Sequence, residues 1–413
     1  MAPFIFVYAI LGLLACISLF FEKIRKELFY IGATLIVAFV AFRDESVGTD
    51  TTSYVTSFLF PEMGYGQDDT DFGFQVLLYV IHFLTDNKNV FIFITSCLGL
   101  WGILHLIKKS SDNPAMSVFI FSIAATSVFF LFYHMSAIRQ TLAESLFLLA
   151  LHQFIGSYKT ELENIKKQEE GLISQHITLA TNVLDINHAD NSITEGNSQN
   201  KLTIAIILLI IGISMHGTLL IVVPFLILAR MVNFNKLTWT MLIVGTYLLG
   251  SNHFFSVQDI FFKIFSMLGD TFSFIEKYSH YGNVNFGEIT LEKNFVNPFS
   301  WPFSLIALLI IFKAESFHLK SQYTKLFLFG VCLNNAFCDN LMWGRLFSYF
   351  IILVVILLPN IIEYKKNIIT YGAYFIIFAF YIYKSISQLL WQMIFTEEGN
   401  IVCPYDSYLI SFF

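Results

Sequence analysis

The sequence predicts an all-α polytopic membrane protein with about 12 transmembrane helices, plus shorter helices at the periplasmic interface. Composition is the first reason: 56% of the 413 residues are hydrophobic and only 13% are charged, against about 25% charged residues in soluble domains. Patterning is the second. Apolar runs recur from Phe4 to Lys384, many of them near the ~20 residues that cross a bilayer core. They do not alternate as barrel strands would.

Composition also excludes several function classes. No basic stripe of the kind that nucleic acid requires is present, so nucleic acid is not an expected partner. The five cysteines are scattered without the short spacings of a zinc site or disulfide framework, and no metal or cofactor is predicted. Residues 2–21 follow no cationic segment and are predicted to be a retained helix rather than a signal peptide.

Lys and Arg in short loops predict the orientation, because cytoplasmic loops carry an excess of them. The charged turn at 22–26 is placed inside, so the second helix, about 28–42, delivers the first long loop, 43–71, to the outer face. The apolar segment 72–83 is too short to span and is predicted to lie in the interface.

The remaining chain is predicted to continue the same membrane-embedded domain, which covers 1–413. Residues 156–201 are predicted to form a cytoplasmic, partly disordered loop, helix-prone at 159–170. Residues 251–297 are predicted to form a second periplasmic loop. The predicted spans are 90–107, 116–133, 137–155, a hairpin over 202–232 that turns outward at 214–217, 237–250, 323–338, 346–360 and 367–384.

The first loop concentrates polar residues where they are otherwise scarce. Arg43 is followed by three acids, a glycine and five hydroxyl side chains before Tyr54. With Thr49 or Asp50 as N-cap of a short helix, Asp50, Ser53 and Tyr54 would share one face. The alternative is an ordinary short loop.

Two arginines lie inside otherwise apolar helices. Arg139, beside Gln140, is one of them, and Arg345 near the outer end of a later helix is the other. A charge at the centre of a membrane helix costs about 2.5 to 3.5 kcal/mol, so a partner is expected. That partner is either a bound anion such as a diphosphate, which guanidinium groups bind bidentately, or a carboxylate in a structural ion pair, from Glu144 or from a neighbouring helix.

His216 lies at a tight outward turn and could act as a general base, because its ordinary pKa is near neutral. A structural histidine is the alternative. The acidic run 68–71 could instead ligate a divalent cation.

Taken in order, these strings resemble the EpsG family. The residues that carry the resemblance are Phe42-Arg43, Val47-Gly48-Thr49-Asp50, Tyr54, Phe72-Gly73-Phe74, Ile138 to Ala143, His216-Gly217-Thr218, Arg345 to Phe350, Leu358-Pro359 and Cys403-Pro404-Tyr405. The resemblance covers nearly the whole chain outside 156–201. Its pattern usually has Glu before the Gly-Phe, where this chain has Asp71.

The resemblance implies a Wzy-like polymerase of bacterial exopolysaccharide, capsule or O-antigen in the inner membrane, with a GT-C-like architecture and no metal. Its implied substrates are undecaprenyl-diphosphate-linked oligosaccharide repeat units, as donor and acceptor. A flippase and a chain-length regulator of the same pathway are implied partners.

The site hypothesis built on this resemblance assigns a role to each candidate residue. Arg139 and Arg345 would hold the donor diphosphate, and Arg43 the diphosphate or the acceptor. Asp50 or His216 would deprotonate the acceptor hydroxyl. Tyr54 and Gln140 would contact substrate.

Two other functions remain open from the sequence. A ligase-like transferase would use similar donors with a different acceptor. A transporter or flippase of lipid-linked sugars would also be aromatic and polytopic, although such proteins commonly show internal repeats.

Overall fold

The computed structural model describes residues 2–61, 71–124, 130–181, 192–251, 300–337, 341–364 and 368–395, together with 405 and 407. These residues are helical, with no strand longer than one isolated bridge. The helices are α1 (Ala2–Phe20), α2 (Arg25–Ala41), α3 (Thr51–Leu59), α4 (Phe72–Leu84), α5 (Lys88–Ser110), α6 (Pro114–Ile123), α7 (Phe130–Ser136), α8 (Ile138–Ile155), α9 (Tyr158–Thr181), α10 (Ser192–Met215), α11 (Leu219–Met231), α12 (Lys236–Gly250), α13 (Trp301–Lys313), α14 (Ser316–Lys320), α15 (Gln322–Ala336), α16 (Leu341–Ile351), α17 (Val354–Tyr364) and α18 (Ile368–Phe395).

Three apolar segments among the described residues are long enough to cross a membrane: Ala2–Phe20, Lys88–Ser110 and Leu346–Tyr364. Shorter apolar helices, α4, α6, α11 and α13 among them, accompany these three. The predicted all-helical membrane class is therefore confirmed, whereas the count of about 12 spans and the GT-C-like arrangement stay predictions.

The segment Leu346–Tyr364 lies at the centre of the helix assembly. Of the residues in its 18-residue apolar window, 94% are buried, against 39% in α1 and 56% in α5. A helix that is apolar on all sides must be surrounded by protein or lipid, and here other helices surround it. The predicted span 346–360 falls in α16 and α17, which are separated by a turn at 352–353.

The predicted single helix 116–133 is wrong. α6 ends at Ile123 because Ala124 adopts an extended conformation, with φ −76° and ψ 147°, and α7 starts only at Phe130. Hydropathy could not reveal this break, because both helices are buried and apolar. The helices predicted at 137–155, at 237–250 and in the hairpin 202–232 are present as α8, α12 and the α10–α11 pair. That they cross the membrane stays a prediction.

The two ends of the helix assembly carry different charged side chains. One end, which we call the Arg43 face, carries Arg43, Arg139 and His216. The opposite end, the Lys108 face, carries ion pairs between Arg25 and Glu363 and between Lys159 and Asp112, each at 2.8 Å. The predicted periplasmic loops begin at the Arg43 face, but residues 252–299, which include most of the second loop, lie outside the described residues.

The helix-prone part of the hydrophilic insertion is α9, which docks on the Lys108 face through a buried carboxylate. Glu161 is 8% exposed and accepts hydrogen bonds from Ser321 Oγ and, at 2.7 Å, from the Gln322 N–H at the start of α15. Burial raises the pKa of Glu161 to about 7, although these hydrogen bonds act in the opposite direction.

Close helix contacts position α8. The Gly102 N–H of α5 donates to Ser145 Oγ of α8 at 2.8 Å, and a Cβ at residue 102 would lie 2.2 Å from the Ser145 carbonyl oxygen. Small residues at such crossings let two membrane helices approach closely. The approach fixes the start of α8, and with it Arg139, beside α5.

Candidate functional site

The first loop is anchored to the start of α8. Gly48 has φ +107°, and a Cβ there would lie 2.5 Å from the Met135 carbonyl oxygen. The Thr51 hydroxyl donates to the carbonyls of Val47 and Met135 at 3.0 and 2.9 Å. The geometry of this turn therefore depends on glycine, since L side chains rarely adopt positive φ, and the turn places α3 beside Arg139.

Four polar side chains from α3, α8 and the segments preceding α4 and α11 meet at the Arg43 face. We call them the Asp71 cluster: Tyr54, Asp71, Arg139 and His216. Asp71 Oδ2 lies 3.2 Å from His216 Nδ1 and 3.7 Å from Arg139 Nη1. The last three side chains are 21 to 23% exposed, so the cluster is shielded yet open to a substrate.

Tyr54 completes the cluster. Arg139 Nε donates to its hydroxyl at 3.5 Å, and the guanidinium carbon lies 5.7 Å from the ring centre. The ring itself packs edge-on against Phe74 at 5.4 Å. The guanidinium is thus held on one side by a carboxylate and on another by a phenol.

The approach of α4 to α10 brings Asp71 to His216. A Cβ at Gly73 would lie 2.2 Å from Ser214 Oγ and 2.8 Å from the Ser214 carbonyl carbon. Only glycine allows this contact without displacement. Gly73 therefore explains the Phe-Gly-Phe string on which the sequence resemblance partly rests.

Asp71 is the residue that the sequence-based site hypothesis missed. The sequence indicates it as one end of a possible cation site in 68–71, of which residues 68–70 lie outside the described residues, and as the residue in place of the usual Glu of the resembled pattern. Within the described part of the chain, no group of three His, Cys, Asp or Glu side chains could hold a metal. The usable signal is the position of Asp71 directly before the Phe-Gly-Phe string.

The hydrogen bond between Asp71 and His216 fixes the chemistry of the histidine. A carboxylate accepts, so Nδ1 carries the proton that it donates, and Nε2 is left with a lone pair. A histidine oriented in this way by a carboxylate can take a proton from a substrate hydroxyl. Arg139 at the same carboxylate supplies a positive charge for an anion.

Asp50 lies outside the cluster. It occupies the N-cap position of α3, as predicted, but its side chain makes no capping hydrogen bond. Among the described residues, the contacts of the cluster join Asp71, His216 and Arg139 and do not include the Asp50 carboxylate. The carboxylate beside the histidine is Asp71.

Arg43 is fully buried and also lies away from the cluster. Nη1 donates to the Val40 carbonyl at 2.6 Å and to Ser96 Oγ at 2.7 Å, whereas Nε and Nη2 have no partner among the described residues. Burial lowers the pKa of Arg43 to about 10, which leaves it charged at neutral pH. Its backbone forms an antiparallel bridge with Ser407.

The structure gives the remaining candidates different surroundings. Gln140 is 6% exposed and directed into the protein. The backbone of Arg345 belongs to α16, but its side chain lies outside the described part. The ion pair considered for Arg139 is made with Asp71; Glu144 instead accepts from Ser348 Oγ at 3.0 Å, because five residues of helix turn it away from Arg139.

A further contact links the histidine turn to α16. Thr218 Oγ1 lies 3.4 Å from the Tyr349 hydroxyl, so strings that are far apart in the chain converge around the Asp71 cluster.

A family model described as the EpsG family matches residues 26–162 and 193–396, which is most of the chain. Neither the curated proteins nor the solved structures contain a significant match.

Proposed function

The chain belongs to the EpsG family, and we propose that it is a glycosyltransferase that polymerises oligosaccharide repeat units linked to undecaprenyl diphosphate. The family supports a polysaccharide polymerase-like role in exopolysaccharide biosynthesis. The substrate, the Wzy-type reaction and the periplasmic location of the site are parts of the proposal. The observation that carries it is Asp71, whose carboxylate contacts both a histidine and an arginine.

In the proposed reaction, a sugar hydroxyl of the acceptor attacks the anomeric carbon of the donor. The new carbon–oxygen bond forms as the bond to the diphosphate breaks, and undecaprenyl diphosphate leaves as an anion. His216 Nε2 takes the hydroxyl proton, while Asp71 holds Nδ1–H and stabilises the imidazolium. This assigns the base role to His216 rather than Asp50.

Arg139 would bind the leaving diphosphate. Its guanidinium carries a permanent charge and lies at the first turn of α8. A guanidinium interaction that strengthens as the diphosphate gains charge lowers the barrier to transfer. Tyr54 would orient the guanidinium or a sugar, and Gln140 and Arg345 remain proposed substrate contacts.

Arg43 has a different role in this proposal from the one expected of it. Its guanidinium is fully buried and bonded to Val40 and Ser96. We therefore propose that it supports the loop that carries Tyr54, and that direct contact with substrate falls to Arg139.

The predicted orientation puts the Asp71 cluster on the periplasmic face of the bacterial inner membrane. A flippase would deliver repeat units there, and a chain-length regulator is a proposed partner. The exposed apolar side chains of α4, which include Phe72, Tyr79 and Phe83, would face the bilayer that holds the polyprenyl chains.

The test is polymerisation by purified protein in nanodiscs, supplied only with undecaprenyl-diphosphate-linked repeat units, with and without EDTA. Wild type should give a ladder of lengthening products that survives EDTA. Arg139→Lys should lower the rate by about 10²-fold or more, because lysine cannot grip bidentately. Arg230→Lys is the matched control, since Arg230 stacks on Phe154 at the Lys108 face, 3.8 Å from the ring centre.

Three outcomes would contradict the proposal. Folded wild type that forms no glycosidic bond but moves the lipid-linked sugar across the membrane would indicate a transporter. Transfer of a single unit to a different acceptor would indicate a ligase. Equal rates for wild type and Arg139→Lys would remove the role assigned to Arg139.

A further inference from the structure

A buried carboxylate, Glu144, lies behind the Asp71 cluster and takes no part in the proposed chemistry. Its side chain is 1% exposed, and Oε2 accepts from Ser348 Oγ of α16 at 3.0 Å. We propose that Glu144 is a positioning residue: through Ser348 it sets α16, and with it the His216 turn, relative to the helix that carries Arg139. This inference rests on the function proposed above.

α16 connects two parts of the site through consecutive residues. Ser348 reaches Glu144 on α8, and Tyr349, which is fully buried, reaches Thr218 at 3.4 Å. Successive side chains on a helix point about 100° apart, so Ser348 and Tyr349 contact different neighbours at the same height along α16. Any shift of α16 along α8 therefore moves the turn of His216 relative to Arg139.

His134 is the polar neighbour of Glu144 Oε1. Its Nδ1 lies 2.8 Å from the Phe130 carbonyl oxygen, which can only accept, so Nδ1 carries a proton. His134 Nε2 lies 3.8 Å from Glu144 Oε1, which is too long for a hydrogen bond, and Oε1 has no hydrogen-bond partner among the described residues. The hydrogen bond from Ser348 to Oε2 is therefore the contact through which Glu144 acts.

Aromatic packing keeps α8 and α16 together without this hydrogen bond. Phe147 of α8 packs edge-on against Tyr349 at 5.7 Å and against Phe350 at 6.2 Å. Removal of the Glu144–Ser348 bond should therefore leave the protein folded and loosen only the relative position of the helices.

The test compares Glu144→Gln, Glu144→Ala and Ser348→Ala in the polymerisation assay. The amide oxygen of glutamine can still accept from Ser348, so Glu144→Gln should keep kcat within about 3-fold of wild type. The two alanine variants should lower kcat by on the order of 10 to 100-fold with little change in KM, because misplacement affects the reacting geometry. The double variant should be no slower than either single one.

Hydrogen exchange gives a readout that does not depend on activity. The N–H groups of Leu219, Leu220 and Ile221 donate to the carbonyls of His216, Gly217 and Thr218 at 3.0 to 3.1 Å. Their exchange should be faster in both alanine variants and unchanged in Glu144→Gln. Ser122→Ala is the matched control, because Ser122 is a buried serine whose hydroxyl, among the described residues, bonds the Phe119 carbonyl of its own helix.

Two results would overturn the inference. Glu144→Gln as inactive as Glu144→Ala would mean that a negative charge is required. Unchanged exchange of the turn in both alanine variants would mean that α16 does not position it. If wild type forms no polymer, the proposed function fails, and the exchange measurement still decides the positioning role.

Discussion

Replacement of Gly73 by alanine should disconnect Asp71 from His216. The new methyl group would lie 2.8 Å from the Ser214 carbonyl carbon, and ordinary contacts of a Cβ begin at 3.4 Å. α4 and α10 must therefore separate by at least about 0.6 Å, even if the Ser214 hydroxyl turns away. Asp71 and His216 lie two residues from this contact, so most of the shift reaches them.

The expected loss follows from the length of one hydrogen bond. A shift of this size lengthens the contact between Asp71 and His216 from 3.2 Å to about 3.8 Å, which is too long for a hydrogen bond. The base would then lose its orientation and its fixed proton. We expect a fall in kcat of about 10²-fold, equivalent to about 3 kcal/mol in the barrier.

The assay is the initial rate of polymer formation by equally folded proteins in nanodiscs. Gly245→Ala is the matched control, because a Cβ at residue 245 of α12 meets nothing within 4 Å and alanine favours the helix by about 1 kcal/mol. Asp71→Glu in the Gly73→Ala background adds one methylene of reach and should recover part of the rate. A wild-type rate for Gly73→Ala would refute this account of the site.

Three further predictions concern single positions. Asp71→Asn should lower kcat by about 10²-fold, because an amide can also donate to His216 Nδ1 and stabilise the wrong tautomer. Asp71→Glu should stay active, and equal rates of the two variants in the polymer assay would contradict this. Gly48→Ala should destabilise the protein by about 1 to 3 kcal/mol, because φ is +107° and Met135 leaves no space, and should lower Tm in detergent; a Tm matching that of Gly372→Ala, where the site is open, would contradict it. Docking of α9 should weaken as pH rises from about 5 to 8. The pKa of Glu161 is raised to about 7, so the docked state binds the proton more tightly than the free carboxyl does. The resulting stabilisation of docking, about 3 kcal/mol, is complete below the ordinary pKa of the free carboxyl and is lost above pH 7. Glu161→Gln should remove this pH dependence of α9 exchange or proteolysis, and a slope that persists would exclude Glu161 as its source.

Local patterns predicted most of the helices, because hydropathy and helix length depend on neighbouring residues. α8 and α12 begin and end within a residue of their predicted bounds. The break after Ile123 was hidden because an extended residue inside a buried apolar run leaves hydropathy unchanged. The position of such a helix break is decided by the tertiary packing around it.

The site was predictable only in part. Arg139, His216 and Tyr54 stood out because polar groups are costly inside apolar segments, and the structure brings them together. Asp71 did not, because the 145 residues that separate it from His216 conceal the contact. The burial of Arg43 was equally hidden, since the residues that cover it lie far along the chain.

Residues 405 and 407, which contact the end of α2, affect the order of biogenesis. Tyr405 stacks on Phe39 with ring centres 4.4 Å apart, and Ser407 Oγ donates to the Phe42 carbonyl across 365 positions. A membrane protein inserts as it is synthesised, at about 5 to 20 residues per second, so the end of α2 must wait tens of seconds for these partners. During that interval the backbone of Arg43 lacks its bridge to Ser407.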